Sequence, residues 1–159
     1  HGVTLSYDPS YVRLDYPMGD VPMERGVCAD VVIRALRAVS LDLQAVVNRD
    51  MRSDFSAYPK TWGLKTPDRN IDHRRVLNLE VLFKRSGCAL SGGDAALLPG
   101  DFVTWRLPGN LPHIGVVSTR WNADKTEPLI THNVGSGVQI EDVLNAWPIT
   151  GRFRYPART

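Results

Sequence analysis

At 159 residues, 43% hydrophobic and 23% charged, the chain is long enough to bury a core and has the composition of an ordinary globular protein. A formal net charge of +2, with no block of Lys or Arg, argues against a nucleic-acid binder. The longest apolar runs fall well short of a bilayer span, so no membrane insertion is expected.

The chain begins HGVTL without a methionine, as a processed product or a chain with a tag remnant at His1-Gly2 would. No repeat or low-complexity tract interrupts it, and a single domain over residues 1–159 is expected. Residues 1–27 read as an irregular arm, with Pro9, Pro17, Gly19 and Pro22 among tyrosines. From Cys28, the residues Val31, Val32, Ala35, Leu36 and Val39 recur at helical spacing, which makes Val31, Val32 and Ala35 core positions. Ser40 has the chemistry of an N-cap for a second helix, with Asp42 in its first turn and Leu43, Val46 and Val47 inward.

After the loop YPKTWGLKTPDRN, Asp72 is placed to cap a third helix to about Arg85, stopped by Gly87. The helical part is therefore 28–87. Beyond Cys88 and a Gly-rich turn the period changes. DFVTWRL, HIGVVSTR, PLITHNV, GVQIED and ITGRFRY are short, β-rich and separated by turn residues. Helices followed by an antiparallel sheet over 98–155 make an α+β layout.

Cys28 can be read as a core residue, half of a disulfide with Cys88, a metal ligand or a nucleophile. A nucleophile needs thiolate character, a base in reach and a group that orients the base. A helix start supplies the first, because its unpaired N–H groups and dipole favour an anion; Asp30 in the same turn opposes it. His113 opens one strand segment and His132 lies in the next, so in a hairpin they become cross-strand neighbours. His113 is then the base and His132 its orienting partner. Asn133 points to the opposite face of a regular strand, so only one of His132 and Asn133 can serve. The same Cys28, His113 and His132 also make a zinc set with an open fourth position, although no short-spaced ligand pair supports it.

Leu98-Pro99-Gly100-Asp101-Phe102-Val103, followed by His113-Ile114-Gly115-Val116-Val117, resembles the PGD…HVGI signature of NlpC-type papain-like cell-wall hydrolases. RGVCADVVIRALR and NIDHRRVLNLEVLFKR resemble a narrower bacterial group in that superfamily, long catalogued as a domain of unknown function. The resemblance covers roughly residues 11–141. It implies a papain-like NlpC-type fold, with N-terminal helices packed on an antiparallel, partly barrel-like sheet. It implies Cys28 as nucleophile, His113 as base and His132 as third polar residue.

Tyr16, twelve residues before Cys28, matches the family's upstream tyrosine and is an oxyanion-donor candidate beside the Cys28 amide. Arg74 and Arg75 read either as a solvated helix face or as a grip for substrate carboxylates. Val27-Cys28-Ala29-Asp30 departs from the family's usual Asp-Cys-Ser-Gly, and the helical insert from Ser40 to Gly87 is longer than usual.

The function so implied is hydrolysis of an amide bond in peptidoglycan stem peptides, without a cofactor, by a monomer exported to the periplasm or cell envelope. The competing functions are the zinc site and a non-catalytic module that holds wall peptides in the same groove.

Overall fold

The computed structural model describes residues 2–91 and 96–156. The glycines of the expected Gly-rich turn, Gly92 and Gly93, lie outside them. The apolar spacing after Gly26 forms helix α1 (Cys28–Arg37), but the buried stripe is Cys28, Ala29, Val32, Ile33 and Leu36. Val31 is half-buried, and Ala35 and Val39 are exposed, so the inward face is rotated from the one expected. The arm explains the rotation, because it wraps the flank that carries Arg34 and Arg37. Both arginines hold the Asp20 carboxylate, and they donate to the Val21 and Gly19 carbonyls.

Helix α2 (Leu43–Ser53) starts at Asp42, not at Ser40. Asp42 is extended and its carboxylate accepts the Gln44 N–H at 3.1 Å and the Met18 N–H at 2.9 Å. Ser40 has φ +63° and takes the left-handed corner between the helices, a conformation incompatible with an N-cap. Leu43 and Val47 are buried and Val46 half-buried.

Helix α3 (Val76–Arg85) begins after Arg75. Asp72 lies further upstream, in a 3-10 turn (Asp72–Arg74), and binds the Asp68 N–H at 2.5 Å rather than capping α3. Gly87, at φ +68°, ends the helical part as a left-handed stop.

Within the arm, β1 (Ser6–Tyr7) pairs in parallel with β2 (Arg25–Gly26), so the arm is not wholly irregular. The sheet that follows is antiparallel throughout. It comprises β3 (Phe102–Leu107), β4 (Leu111–Trp121), β5 (Pro128–Asn133), β6 (Val138–Glu141) and β7 (Ile149–Phe153), in the order β6-β5-β4-β3-β7. The α+β layout is therefore present.

The sheet is open, with β6 and β7 as its edges, and this corrects the expected partial barrel. The chain between the two edges folds over one face of the sheet, where Leu144 and Trp147 pack, instead of joining them by hydrogen bonds. That face carries Val103, Trp105, Val117 and Ile130. The other presents Phe102, Ile114 and Phe153 to the three helices, with Phe83 of α3 about midway between Phe102 and Phe153 at ring separations of 5.4 and 5.3 Å. Among the described residues, no helix is long and apolar enough to cross a membrane.

Candidate active site

Cys28 is the first residue of α1 and is buried. Space, rather than positive φ, explains Gly26: a Cβ there would stand 2.8 Å from the Asp30 carboxylate. That carboxylate turns back to accept the Val27 N–H at 2.7 Å and forms a two-pronged ion pair with Arg74, at 3.0 and 2.9 Å. Asp30 thus closes the helix start. Arg74 also lines the Cys28 cleft, but its guanidinium is buried in this pair and donates to the Ser10 and Asp8 carbonyls.

The thiolate expected from the helix start is not the resting form. Burial pushes the Cys28 thiol up to about 11, outweighing the backbone N–H groups of Ile114, Ala29 and Cys28 itself that favour the anion; Asp30 adds a smaller push. The Ile114 amide against the sulfur places Cys28 one residue along β4 from His113. Among the described residues, Cys28 and His113 share no hydrogen bond.

The two histidines meet as the strand pattern requires. His132 stands opposite Gly115 in the β4–β5 register, and His113 lies two residues from Gly115 on the same face. The missing side chain at Gly115 opens the diagonal, and His113 Nε2 lies 2.9 Å from His132 Nδ1. The same diagonal step repeats on the next strand, where His132 Nε2 lies 2.8 Å from a Glu141 carboxylate oxygen. The carboxylate accepts, so His132 carries its proton on Nε2 and accepts at Nδ1. His113 then donates from Nε2 and presents an unprotonated Nδ1.

Three strands thereby set the tautomer of one base. Trp105, opposite His113, and Trp147 each pack 5.8 Å from the His113 ring. Burial, followed by the facing His132, holds His113 down at about 3. Glu141 was missed in the sequence; its only signal is its place at the end of a short strand segment, GVQIED.

Gly115→Ala is expected to destabilise the protein by about 1–3 kcal/mol through overpacking, because its Cβ would meet Ile130 Cγ2 at 2.6 Å and His132 Cβ at 3.2 Å. Urea unfolding measures this, and a variant as stable as wild type would contradict the close packing.

His73, buried in the 3-10 turn, is also held down, to about 4, chiefly by burial. Both folded values lie below the ordinary 6.5. The unfolded chain therefore binds more protons below that pH, and stability is full above it and falls as pH drops. By pH 5 each histidine is expected to cost on the order of 2 kcal/mol. Urea midpoints at pH 7 and 5 test this: the wild-type drop should shrink in His73→Gln/His113→Gln, and an unchanged wild-type midpoint would contradict it.

The remaining candidates are placed as follows. Tyr16 does not line the Cys28 cleft; it lies in a separate cleft, with Arg69 over its ring at 5.3 Å. The tyrosine beside the thiol is Tyr7, set there by the pairing of Tyr7 with Gly26. Burial, then the neighbouring Cys28 and Asp30, push its hydroxyl up to about 12, so it stays a proton donor. Asn133 is a tether: its amide donates to the Ser6 and Gly26 carbonyls and holds β1 and β2 in place. His132, not Asn133, is therefore the residue that meets His113.

Arg75 lines the Cys28 cleft, a space of about 200 Å³, where its guanidinium lies 4.1 Å from the Trp62 ring centre and pairs with Asp72. Trp105 is buried in the sheet's second face, its indole N–H on the Leu144 carbonyl. Cys88 is buried in the main core, and Cys28 and Cys88 are both thiols, not a disulfide. The zinc reading needs His113 and His132 to aim at a shared point, yet their facing nitrogens bond each other. No group of three His, Cys, Asp or Glu side chains among the described residues is arranged to hold a metal.

Fold and site define an α+β protein with a buried thiol at a helix start and an imidazole–imidazole–carboxylate relay on the adjoining strands. The chain belongs to the family described as Domain of unknown function (DUF1287), whose model matches residues 1–155. It is similar to a protein of Escherichia coli (strain K12) described as Uncharacterized protein YijF, with 54% identity over 156 residues, 97% of this chain and 76% of that protein. No solved structure matches the chain.

Proposed function

We propose that this protein is a cysteine hydrolase of the NlpC-type papain-like class that cleaves an amide bond in peptidoglycan stem peptides. The observation that supports it best is the His113–His132–Glu141 relay, which leaves an unprotonated Nδ1 on the residue before Ile114, whose amide bonds the Cys28 sulfur. Cys28 packs with Ile114 on the helix face of the sheet and His113 with Trp105 and Trp147 on the other, so this reading requires the His113 ring to turn toward the sulfur when substrate binds.

In this reading the resting pair is a neutral thiol and a neutral imidazole. As Sγ attacks the carbonyl carbon, the thiol proton passes to His113 Nδ1, and the same proton then leaves with the amine as the C–N bond breaks. Water then gives a proton to His113 as its oxygen attacks the thioester carbonyl; the C–S bond breaks, the acid leaves, and His113 returns the proton to sulfur. Backbone N–H groups at the helix start and the Tyr7 hydroxyl stabilise the oxyanion. Arg75, braced on Trp62, receives a free carboxylate of the peptide. The reaction calls on no cofactor, and such a substrate implies export to the cell envelope.

The burial of Cys28 favours a second reading, a non-catalytic module that holds wall peptides in the same cleft. Defined muropeptides incubated in H2(18)O and followed by mass spectrometry separate the two. Hydrolysis predicts products that carry one heavy oxygen in the new carboxylate, undiminished by chelator. A panel left wholly uncut would sink the hydrolase.

A further inference from the structure

On the other side of the turn that carries Asp68 and Ile71 lies a second, larger cleft of about 680 Å³, which shares no lining residue with the Cys28 cleft. Asn48, Arg49 and Arg52 of α2 line it together with Arg69 from the following loop. Asn48 and Arg52 are one helical turn apart and so share a face. None of the three arginines is in an ion pair among the described residues. For Arg49 and Arg52, the nearest acids in sequence, Asp50 and Asp54, are both engaged by Arg85 of α3.

The rest of the cleft is already built. Gln44 donates to the Arg69 and Asp15 carbonyls and fixes that loop against α2. Asp68, the one acid lining the cleft, accepts from the Tyr11 hydroxyl and the Asn70 backbone N–H, and the Asn70 amide donates to the Tyr11 oxygen. Tyr16 lies beneath the Arg69 guanidinium. Three exposed guanidinium forks thus share a concave, braced wall with one carboxylate that is already hydrogen-bonded, which leaves the cleft with a net positive charge. Guanidinium forks match planar or tetrahedral oxyanions through paired N–H donors.

We infer that the cleft formed by Arg49, Arg52, Arg69, Tyr11 and Asn70 is an oxyanion-binding site, distinct from the Cys28 cleft, for a ligand carrying two or more carboxylate or phosphate groups. The inference does not depend on amide hydrolysis and is read by binding alone.

The test is titration of the wild-type chain with tricarballylate and, separately, tripolyphosphate at constant ionic strength, by calorimetry and arginine side-chain NMR. Saturable binding is expected, with shifts concentrated at Arg49, Arg52 and Arg69, and the tighter probe shows whether the natural group is a carboxylate or a phosphate. Each single Arg→Gln change should weaken binding by about five- to tenfold, and the triple change should abolish it while leaving the thermal melt intact. Binding no tighter than chloride, a triple variant that binds like wild type, or equal shifts at Arg13 and Arg120, which are exposed like the three but outside the cleft, would overturn the inference. Single variants suffice if the triple one fails to fold.

Discussion

Replacing Cys28 by alanine is expected to abolish muropeptide cleavage, and replacing His113 by alanine to lower turnover by about 10²–10⁴-fold. The two side chains do different work in the proposed reaction: without the sulfur no covalent intermediate forms, whereas without the imidazole the proton must leave to water. Glu141→Gln should cost far less, about tenfold, because an amide oxygen can still accept from His132 Nε2 and Glu141 is partly exposed. Single-turnover rates on one defined muropeptide, with thermal melts as folding controls, give this graded order. A folded Cys28→Ala protein that still cuts would remove the nucleophile. Equal losses at Glu141 and His113 would mean that the relay supports the fold rather than the chemistry.

Breaking the Asp30–Arg74 pair is expected to be the most damaging change to stability outside the main apolar core. Both side chains are almost wholly inaccessible, at 3% and 1%. Asp30→Ala leaves a guanidinium stranded in the interior, and Arg74→Met leaves a carboxylate there with only the Val27 N–H. Each should cost about 3–5 kcal/mol, a large share of the roughly 5–15 kcal/mol that holds a typical domain folded. The double change Asp30→Leu/Arg74→Met should cost markedly less than the sum, because no unpaired charge remains. Urea unfolding of the three variants decides it, and single losses below 1 kcal/mol would show that water reaches the pair. Because Asp30 also holds the Val27 N–H, loss of the pair should loosen the turn that carries Cys28.

The α+β order of elements was legible because helical and strand periodicities are local. Turn residues such as Gly87 stop a helix by their own backbone freedom. The pairing of His113 with His132 was also legible, since two adjacent strands in a hairpin put alternate residues on one face. Parity said only that one of His132 and Asn133 can serve; the bonds of Asn133 to the Ser6 and Gly26 carbonyls made the choice.

Errors arose wherever a distant segment decided the outcome. Arg34 and Arg37 grip the arm and rotate the buried face of α1. Asp42 takes the cap from Ser40 because the corner needs Ser40 in a left-handed conformation. Tyr16 has the right spacing from Cys28, but Tyr7 reaches the thiol, because β1 pairs in parallel with the two residues just before Val27. Nothing in sequence spacing encodes that pairing.

By itself, then, the sequence determined which residue types stand at the helix start and on the facing strands. Only the tertiary structure decided their chemical state and their partners. A helix start favours a thiolate through amides within one turn, and that effect is readable. Burial by Ile114 and the helix core is the sum of contacts from across the chain, and it leaves Cys28 protonated at rest. The same holds for Arg74, which reads as a ligand grip until the fold brings it to Asp30, 44 positions away. Local stereochemistry is written residue by residue, whereas desolvation and charge pairing depend on which distant segments the fold brings together.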